Sequence, residues 1–489
     1  DPVSKEPDYK YATVEVSPFV KKKEKVVVIG AGSAGLGFIS AYRERNQTDE
    51  IEVFSKEIHP FYNRVMLPDY ISGTQTWEQL VKLREDQFEQ QKIRVHKGIS
   101  IEHIDRKNKV LVDINGNEHA YDKLFLGMGS QAFMPRNFPK MNGILNMRSR
   151  IDAETLLPLL GVGRNAVIVG GGLLGIELAA SLRELNANVT VVQRSSRLMD
   201  RQLDDLGSTI LHEEVSNLGI RVFYNDEVEQ CYGTEQLNGV RLKSGKKLPC
   251  DAMVVAAGTT PTIALAQQAG LKCNRGVVVN EYLQTSDSDI FACGEIAEWR
   301  GEIWGITAAA EEQASVVASF LAGDFANFYR GSLSMNILKM AGVNICSLGM
   351  VELPKKAAGY EEILFIDKAK RYYKKCLIKD DRLVGAILIG DKSEFLEFRD
   401  LIKNGIELSE KRLQLLRSGK KAEPVIGKLV CSCNNVGEGN LAKNINNGCY
   451  DFEQLCLSTG AGTGCGSCRP EVKVILNDLL IIKKEEITP

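Results

Sequence analysis

The sequence predicts an α/β protein in which two glycine-rich strand–turn–helix units each organise a parallel sheet, followed by an α+β segment and a small helical cysteine module. Three observations carry this. Val26–Ile29 is a short β-branched run that breaks at Gly30, Gly32 and Gly35 into the helical segment Ser33–Arg45. The same device recurs over Asn165–Glu177, with Gly170, Gly172 and Gly175 in the corresponding places. Finally, Cys431, Cys433, Cys449, Cys456, Cys465 and Cys468 are crowded near the end of the chain, while the other cysteines are scattered.

Each glycine of the first unit has its own task. Gly30 makes the tight turn, Gly32 removes a side chain from the path of a pyrophosphate, and Gly35 lets helix and strand pack closely. The amides that open the helix, at Ser33 and Ala34, then face the phosphates. The second unit repeats the arrangement with Leu173 and Leu174 opening its helix. Two such units predict two Rossmann-like, three-layer domains and two different dinucleotides, a tightly held flavin and a nicotinamide that comes and goes.

With 489 residues and about 150 residues per domain, three or four domains are expected. A net charge of -2, with 25 % of residues charged, advertises neither a nucleic-acid-binding face nor an acidic tail. No apolar run reaches the ~20 residues of a membrane span, and the leading segment lacks a signal peptide's apolar core. The expectation is a cytoplasmic protein without a membrane or nucleic-acid partner.

After the second strand, Ile51–Phe54, a flavin-binding unit places an acid that bonds a ribose hydroxyl. Ser55 and Lys56 stand there, so the candidate is Glu57, just beyond. His59–Tyr70, H-P-F-Y-N-R-V-M-L-P-D-Y, resembles the loop that reaches over the flavin in NAD(P)H-dependent reductases of rubredoxins, ferredoxins and nitrite. That resemblance implies that Arg64, next to Asn63, meets the flavin pyrophosphate, a fixed cation against two phosphates. Tyr121–Ser130 resembles the family's strand ending in A-T-G-S, with Gly127 and Met128 replacing alanine and threonine, and brings Gly129 to the flavin. Phe291–Glu298, F-A-C-G-E-I-A-E, resembles the second flavin fingerprint, in which Gly294 is followed by the acid that bonds the ribityl chain. That acid is Glu295, longer than the usual aspartate. A helix over Trp304–Gln313 is then expected to turn its amide end, at Ile306 and Thr307, towards the isoalloxazine carbonyl and stabilise the reduced, anionic ring.

In the second unit Glu177 follows the third glycine by two residues. In related reductases a glutamate here lies near the nicotinamide, which makes Glu177 the candidate catalytic residue, and a favourable charge at a helix N-terminus explains it nearly as well. The strand Asn188–Val192 ends in Gln193, where an NAD-selective site would carry an acid, and Arg194 and Arg197 follow. The missing acid and the two cations lean towards NADPH, whose 2′-phosphate an acid would repel. Val254–Pro261, with Gly258, resembles the segment where the chain leaves the nucleotide domain. The strand-rich stretch that follows Tyr329 resembles the interface domain of these reductases, which packs over the flavin and forms a dimer or partner surface.

Cys431-Ser-Cys433 and Cys465-Gly-Ser-Cys468 offer four thiolates in two close pairs, the ligand set of either a tetrahedral zinc or a [2Fe–2S] cluster. The C-x-C pair is tighter than ribbon-type zinc spacing, and the glycines around Cys465 let amides approach inorganic sulfide. The segment resembles the bacterioferritin-associated ferredoxin family, which favours the cluster. Cys449 and Cys456, seven residues apart, are expected on one helix face as packing residues.

The resemblances together identify the chain as similar to the flavin and [2Fe–2S] portion of NAD(P)H-dependent nitrite reductases and to the electron-transfer subunit of assimilatory nitrate reductases. They imply an N-terminal extension at residues 1–24, an FAD domain at 25–147 and 271–328, a nicotinamide domain at 148–270, an interface domain at 329–420 and a [2Fe–2S] domain at 428–478. The implied function is a reductase that moves electrons from NAD(P)H through FAD and the cluster to a partner redox protein, as a homo-oligomer or hetero-complex. No cysteine motif follows Cys468, so nitrite chemistry is expected on a partner. The alternatives are an oxidase with a structural cluster and a non-catalytic electron-transfer or redox-sensing subunit. A flavin disulfide reductase would need a cysteine pair soon after the first glycine turn, whereas the first cysteine is Cys231.

Overall fold

The computed structural model describes residues 23–83, 85–340, 342–356, 358–409, 412, 424–464 and 466–487. The expected N-terminal extension, apart from its last two residues, lies outside them, as do Cys465 and most of the end of the stretch read as an interface domain.

The first glycine unit belongs to a five-stranded, all-parallel sheet in the order Ile290–Ala292, Lys123–Leu126, Lys25–Ile29, Glu50–Ser55, Ile93–Lys97. Lys25–Ile29 is central, and Val26, Val27 and Val28 are fully buried, which explains a run of apolar residues without alternation. The Ser33–Arg45 and Thr307–Leu321 helices pack together so closely that a Cβ added at Gly37 would lie 3.4 Å from Ala314 and Glu311. The expected helix over Trp304–Gln313 begins later, at Thr307, because Ile306 is extended and Trp304–Ile306 lines the site described below.

The second unit builds another five-stranded parallel sheet, ordered Arg221–Tyr224, Asn188–Gln193, Asn165–Val169, Ala252–Val255, Ile144–Asn146. Ile144–Asn146 pairs with Ala252–Val255 and so joins this sheet, although the sequence reading ran the first unit to residue 147. Conversely, the Ala264–Gln268 helix, read with the second unit, buries Ala266 in the core of the first. Elements of three to five residues carry too little periodicity to reveal which core they join. The chain passes between the two units at a ribbon in which Ser130–Ala132 runs antiparallel to Thr259–Pro261.

A third, antiparallel sheet follows, ordered Met335–Met340, Val343–Gly349, Arg382–Ile389, Tyr372–Lys379, Tyr360–Asp367, with the Phe395–Lys403 helix against it. One buried carboxylate fastens it to the second unit. Asp204 caps the Asp205–Asn217 helix by accepting from the Gly207 amide at 2.9 Å, and its other oxygen accepts from the Tyr373 hydroxyl at 2.6 Å and Lys375 Nζ at 3.0 Å. Lys374, equally buried, is paired with Glu394 at 2.9 Å, as a charge removed from water requires.

The cysteine module consists of a short hairpin, Leu429–Cys431 with Val436–Gly437, and the helices Glu438–Asn446, Phe452–Thr459 and Arg469–Ile487. Its core is continuous with that of the antiparallel sheet, since Cys431, Cys433, Cys456 and Cys468 cluster with Ile337, Leu388 and Phe395. Cys449 and Cys456 both pack in this region but do not share a helix. Gly448, at φ +98°, ends one helix and Asp451 caps the next, so Cys449 lies in the connection. Among the described residues no helix is long and apolar enough to cross a membrane.

Candidate functional site

A cavity of about 890 Å³ runs along the C-terminal ends of the first parallel sheet. Gly30, Gly32, Ser33, Ala34, Glu57, Arg64, Gly129, Gly294, Glu295, Ile306 and Thr307, all singled out in the sequence, line it together. The glycines differ in what surrounds them. A Cβ at Gly30, which sits at φ +112°, would lie 2.3 Å from the Gly127 carbonyl oxygen, and one at Gly35 would lie 2.2 Å from that of Gly30. At Gly32 a Cβ would meet nothing within 4 Å. The first two glycines are therefore required by packing, and the third keeps the cavity wall open.

Helix ends differ in how their first amides are met, and an end without a side-chain cap is not confined to the glycine turns and the cavity, since Met66, Ile263 and Glu394 also open helices without one. Ser149, Asp204 and Asp451 each cap their helix with a side-chain oxygen. The Ser33–Arg45, Leu173–Glu184 and Thr307–Leu321 helices have Gly32, Gly172 and Ile306 at that position and no side-chain cap. Their first amides lack the usual partner and are free for phosphate or another electron-rich group. The large cavity, its open glycine wall and two of these helix ends fit FAD.

Two polar groupings sit on the cavity wall. Glu57 pairs with Arg64 at 2.7 Å and accepts from the Tyr62 hydroxyl at 2.7 Å, while Arg64 also donates to the Arg148 carbonyl at 3.3 Å. Burial opposes the Arg64 charge, but Tyr62 and Glu57 beside it raise its pKa, so it stays cationic. Glu295 accepts from Ser130 at 2.8 Å, from Thr259 at 3.3 Å and from the Arg148 guanidinium. Sequence reasoning missed Ser130, Thr259 and Arg148 in this role. The first two belong to the crossover ribbon and the third lies between the units, so only the folded chain brings them to Glu295. Asn63 does not line this cavity. Its side chain accepts from the Val65 amide at 3.2 Å and faces the cysteine module.

The second glycine turn has the same geometry as the first. A Cβ at Gly170, φ +114°, would lie 2.5 Å from the Ala256 carbonyl oxygen, one at Gly175 would lie 2.0 Å from that of Gly170, and one at Gly172 would meet nothing within 4 Å. Leu173 is half-buried, Leu174 is exposed and Gly258 adopts φ +110°. Gln193 is buried and holds the loop from within, its Oε1 accepting from the Gly171 amide at 2.7 Å and its Nε2 donating to Ser195 Oγ at 2.6 Å and the Arg197 carbonyl at 3.0 Å. Arg197 is paired with Asp205 at 2.7 Å and Glu352 at 2.5 Å. Arg194 is exposed and has no ion-pair partner among the described residues. Glu177 is buried, and its Oε1 accepts from the Lys339 amide at 2.8 Å, joining the second unit to the antiparallel sheet.

Cys431, Cys433 and Cys468 are 2 %, 1 % and 5 % exposed and line one small cavity of about 30 Å³ together with Asn63 and Met66 of the first unit. The Gly462 amide donates to Cys468 Sγ at 3.0 Å. Three cysteine sulfurs on one cavity wall, with an amide turned to one of them, are the donor type of an iron–sulfur centre, while among the described residues, which leave out Cys465, no group of three or more such side chains is placed to hold a metal ion. A second cleft of about 770 Å³ runs from Gly32 and Thr307 to Gly462, Gly464 and Gly466 of the module, so the two sites are neighbours.

Comparison with known proteins matches these parts one by one. Residues 24–314 match the family described as pyridine nucleotide-disulphide oxidoreductase, residues 335–406 the rubredoxin NAD+ reductase C-terminal domain, and residues 429–478 the BFD-like [2Fe-2S] binding domain. The chain is 31 % identical to nitrite reductase [NAD(P)H] of Bacillus subtilis (strain 168), over 94 % of this chain and 58 % of that protein. It is 30 % identical to the assimilatory nitrate reductase electron transfer subunit of the same organism, over 93 % of this chain and 60 % of that protein. It thus spans less than two thirds of the length of these relatives. Among solved structures, NADH:rubredoxin oxidoreductase from Clostridium acetobutylicum is similar with TM-score 0.65 and 25 % identity, over 81 % of this chain and 99 % of that one. A covalent putidaredoxin reductase–putidaredoxin complex shares the fold at TM-score 0.74 and 23 % identity, over 80 % and 97 %.

Proposed function

The chain belongs to the pyridine nucleotide-disulphide oxidoreductase family and carries a BFD-like [2Fe-2S] domain at residues 429–478, and from this we propose that it is a reductase taking electrons from NAD(P)H, preferably NADPH, and passing them singly to a separate redox protein or reductase subunit. FAD accepts the electron pair of a nicotinamide and releases it one electron at a time, and a [2Fe–2S] centre carries single electrons. The disulphide chemistry in the family's name is not carried over, because the first cysteine, Cys231, lies far beyond the first glycine turn.

The observation that carries the proposal is the continuity of the two sites. Gly32, Ser33 and Thr307 line both the 890 Å³ cavity and the cleft that reaches the cysteine module, and Cys431, Cys433 and Cys468 line one small cavity with Asn63. In this reading Gly32, Ser33 and Arg64 hold the flavin pyrophosphate and Glu295, fixed by Ser130 and Arg148, holds the ribityl chain. Thr307 and Ile306 present helix amides to the ring. Gly170, Gly172 and Gly175 cradle the nicotinamide dinucleotide, with Arg194 facing a 2′-phosphate. Glu177 acts as a positioning residue, fixing the second unit against the antiparallel sheet. Cys431, Cys433, Cys465 and Cys468 ligate the cluster.

The test is Cys433→Ser in the full chain. The variant is expected to keep NADPH-driven bleaching of the flavin band and to lose reduction of an iron–sulfur or haem acceptor such as cytochrome c. Acceptor reduction at the native rate would remove the cysteine module from the pathway, and undiminished turnover with O₂ alone would favour the oxidase alternative.

A further inference from the structure

Lys392 is a half-buried ammonium with no carboxylate within ion-pair distance among the described residues. Its Nζ donates to the carbonyl of Ser432, between Cys431 and Cys433, at 3.4 Å. The charged and titratable groups that face it are Cys431, Cys433, Cys346 and, with like sign, Lys339. The neighbouring buried lysines are treated differently. Lys374 has Glu394 at 2.9 Å, and Lys375 has Asp204 and Glu362 at 3.0 Å. A cation withdrawn from water without a counter-charge is costly, so its placement points to an anion supplied by something other than a carboxylate. Lys392 is also held firmly. The turn that carries it is closed by Asp391 accepting from the Ser393 amide at 2.8 Å and is followed by Phe395, which is 1 % exposed.

We infer that Lys392 is the counter-charge of the iron–sulfur centre, a positioning residue that raises the centre's reduction potential and so draws electrons towards it from the flavin. The inference rests on the reading that Cys431, Cys433, Cys465 and Cys468 hold a [2Fe–2S] cluster. Four thiolates and two sulfides leave such a cluster negative in both oxidation states. On reduction it gains one electron and one further negative charge, no bond forms or breaks, and Lys392 keeps its proton. A fixed ammonium beside the Cys431–Cys433 loop therefore stabilises the reduced state more than the oxidised one. The residue comes from the antiparallel-sheet segment, outside the cysteine module, which gives that segment a part in tuning the centre as well as in packing.

Potentiometric titration of the full chain, followed by EPR of the reduced cluster, tests this with Lys392→Gln, Lys392→Met and Lys392→Arg. The neutral variants are expected to lower the cluster midpoint by about 59 mV, a tenfold change in a one-electron equilibrium, and to leave the flavin midpoint in place. Lys392→Arg is expected to stay near the native value. An unshifted cluster midpoint in Lys392→Gln, or an equal shift in Lys392→Arg, would overturn the inference. Failure of both neutral variants to load iron would do the same, since a residue needed for assembly holds the loop instead of setting the potential. Native protein containing zinc, or lacking the cluster signal, would instead sink the underlying reading.

Discussion

Arg148 and Glu295 stand 147 positions apart in the chain and form an ion pair on the wall of the large cavity. The pair links the connection between the two nucleotide units to the second flavin fingerprint, and Ser130 completes it. Glu295→Ala is expected to weaken FAD retention by about tenfold, ~1.4 kcal/mol, measured as flavin fluorescence released on dilution. Arg148→Ala should weaken retention by a smaller factor, because Ser130 and Thr259 still orient the carboxylate. Unchanged retention in Glu295→Ala would remove Glu295 from the flavin site.

Glu177 and the Lys339 amide give the second prediction. Glu177→Gln keeps an acceptor at the joint and should leave flavin reduction near the native rate. Glu177→Leu leaves a part-buried amide without that acceptor and should lower stability by roughly 1–3 kcal/mol, read as the midpoint of chemical unfolding. A large loss of flavin reduction rate in Glu177→Gln, with native stability, would mark Glu177 as a group that touches the nicotinamide.

Nicotinamide preference depends on which arginine is available. Arg197 is already neutralised by Asp205 and Glu352, whereas Arg194 has no such partner among the described residues. Arg194→Ala is expected to raise KM for NADPH about tenfold, near 1.4 kcal/mol, with little effect on NADH. Arg197→Ala should affect both nicotinamides alike, through the loop it braces. Equal KM changes for the two nicotinamides in Arg194→Ala would contradict the lean towards NADPH.

Acid sensitivity follows from Glu52, a buried carboxylate on the second strand of the first sheet. Burial raises its pKa, but Lys25 at 2.6 Å and His96 at 2.7 Å more than offset this, and the net shift is downward. A carboxylate depressed in the folded state stabilises it above the unfolded pKa and loses that contribution as pH falls through the folded value. Glu52→Gln should therefore be less stable than the native protein at pH 7, by roughly 1.5–3 kcal/mol, with the gap closing below the ordinary carboxylate range. Thermal unfolding against pH checks this, and a gap that widens on acidification would contradict it.

Much of this architecture was legible because it depends on local chemistry. The glycines of both turns read correctly from spacing, since Gly30, Gly35, Gly170 and Gly175 are demanded by backbone atoms within a few residues or on adjacent strands. The illegible parts depend on long-range placement. Nothing near Arg148 in the chain announces Glu295 as its partner. Ile144–Asn146 is too short to declare its sheet. Glu177 has the same local setting whether it faces a ligand or the Lys339 amide. Gln193 reads as a missing acid, and the fold gives it a structural task at Gly171 and Arg197. Lys392 resembles any surface lysine in sequence, because its isolation from carboxylates is a property of the packed interior.

Anaerobic reduction of the purified full chain with NADPH, watched simultaneously in the flavin band and by EPR of the cluster, tests the central claim most directly. The expected result is bleaching of the flavin followed by a reduced [2Fe–2S] signal, with both signals restored by a one-electron acceptor. A flavin that bleaches while the cluster stays oxidised, or protein that carries zinc in place of iron and sulfide, would contradict it.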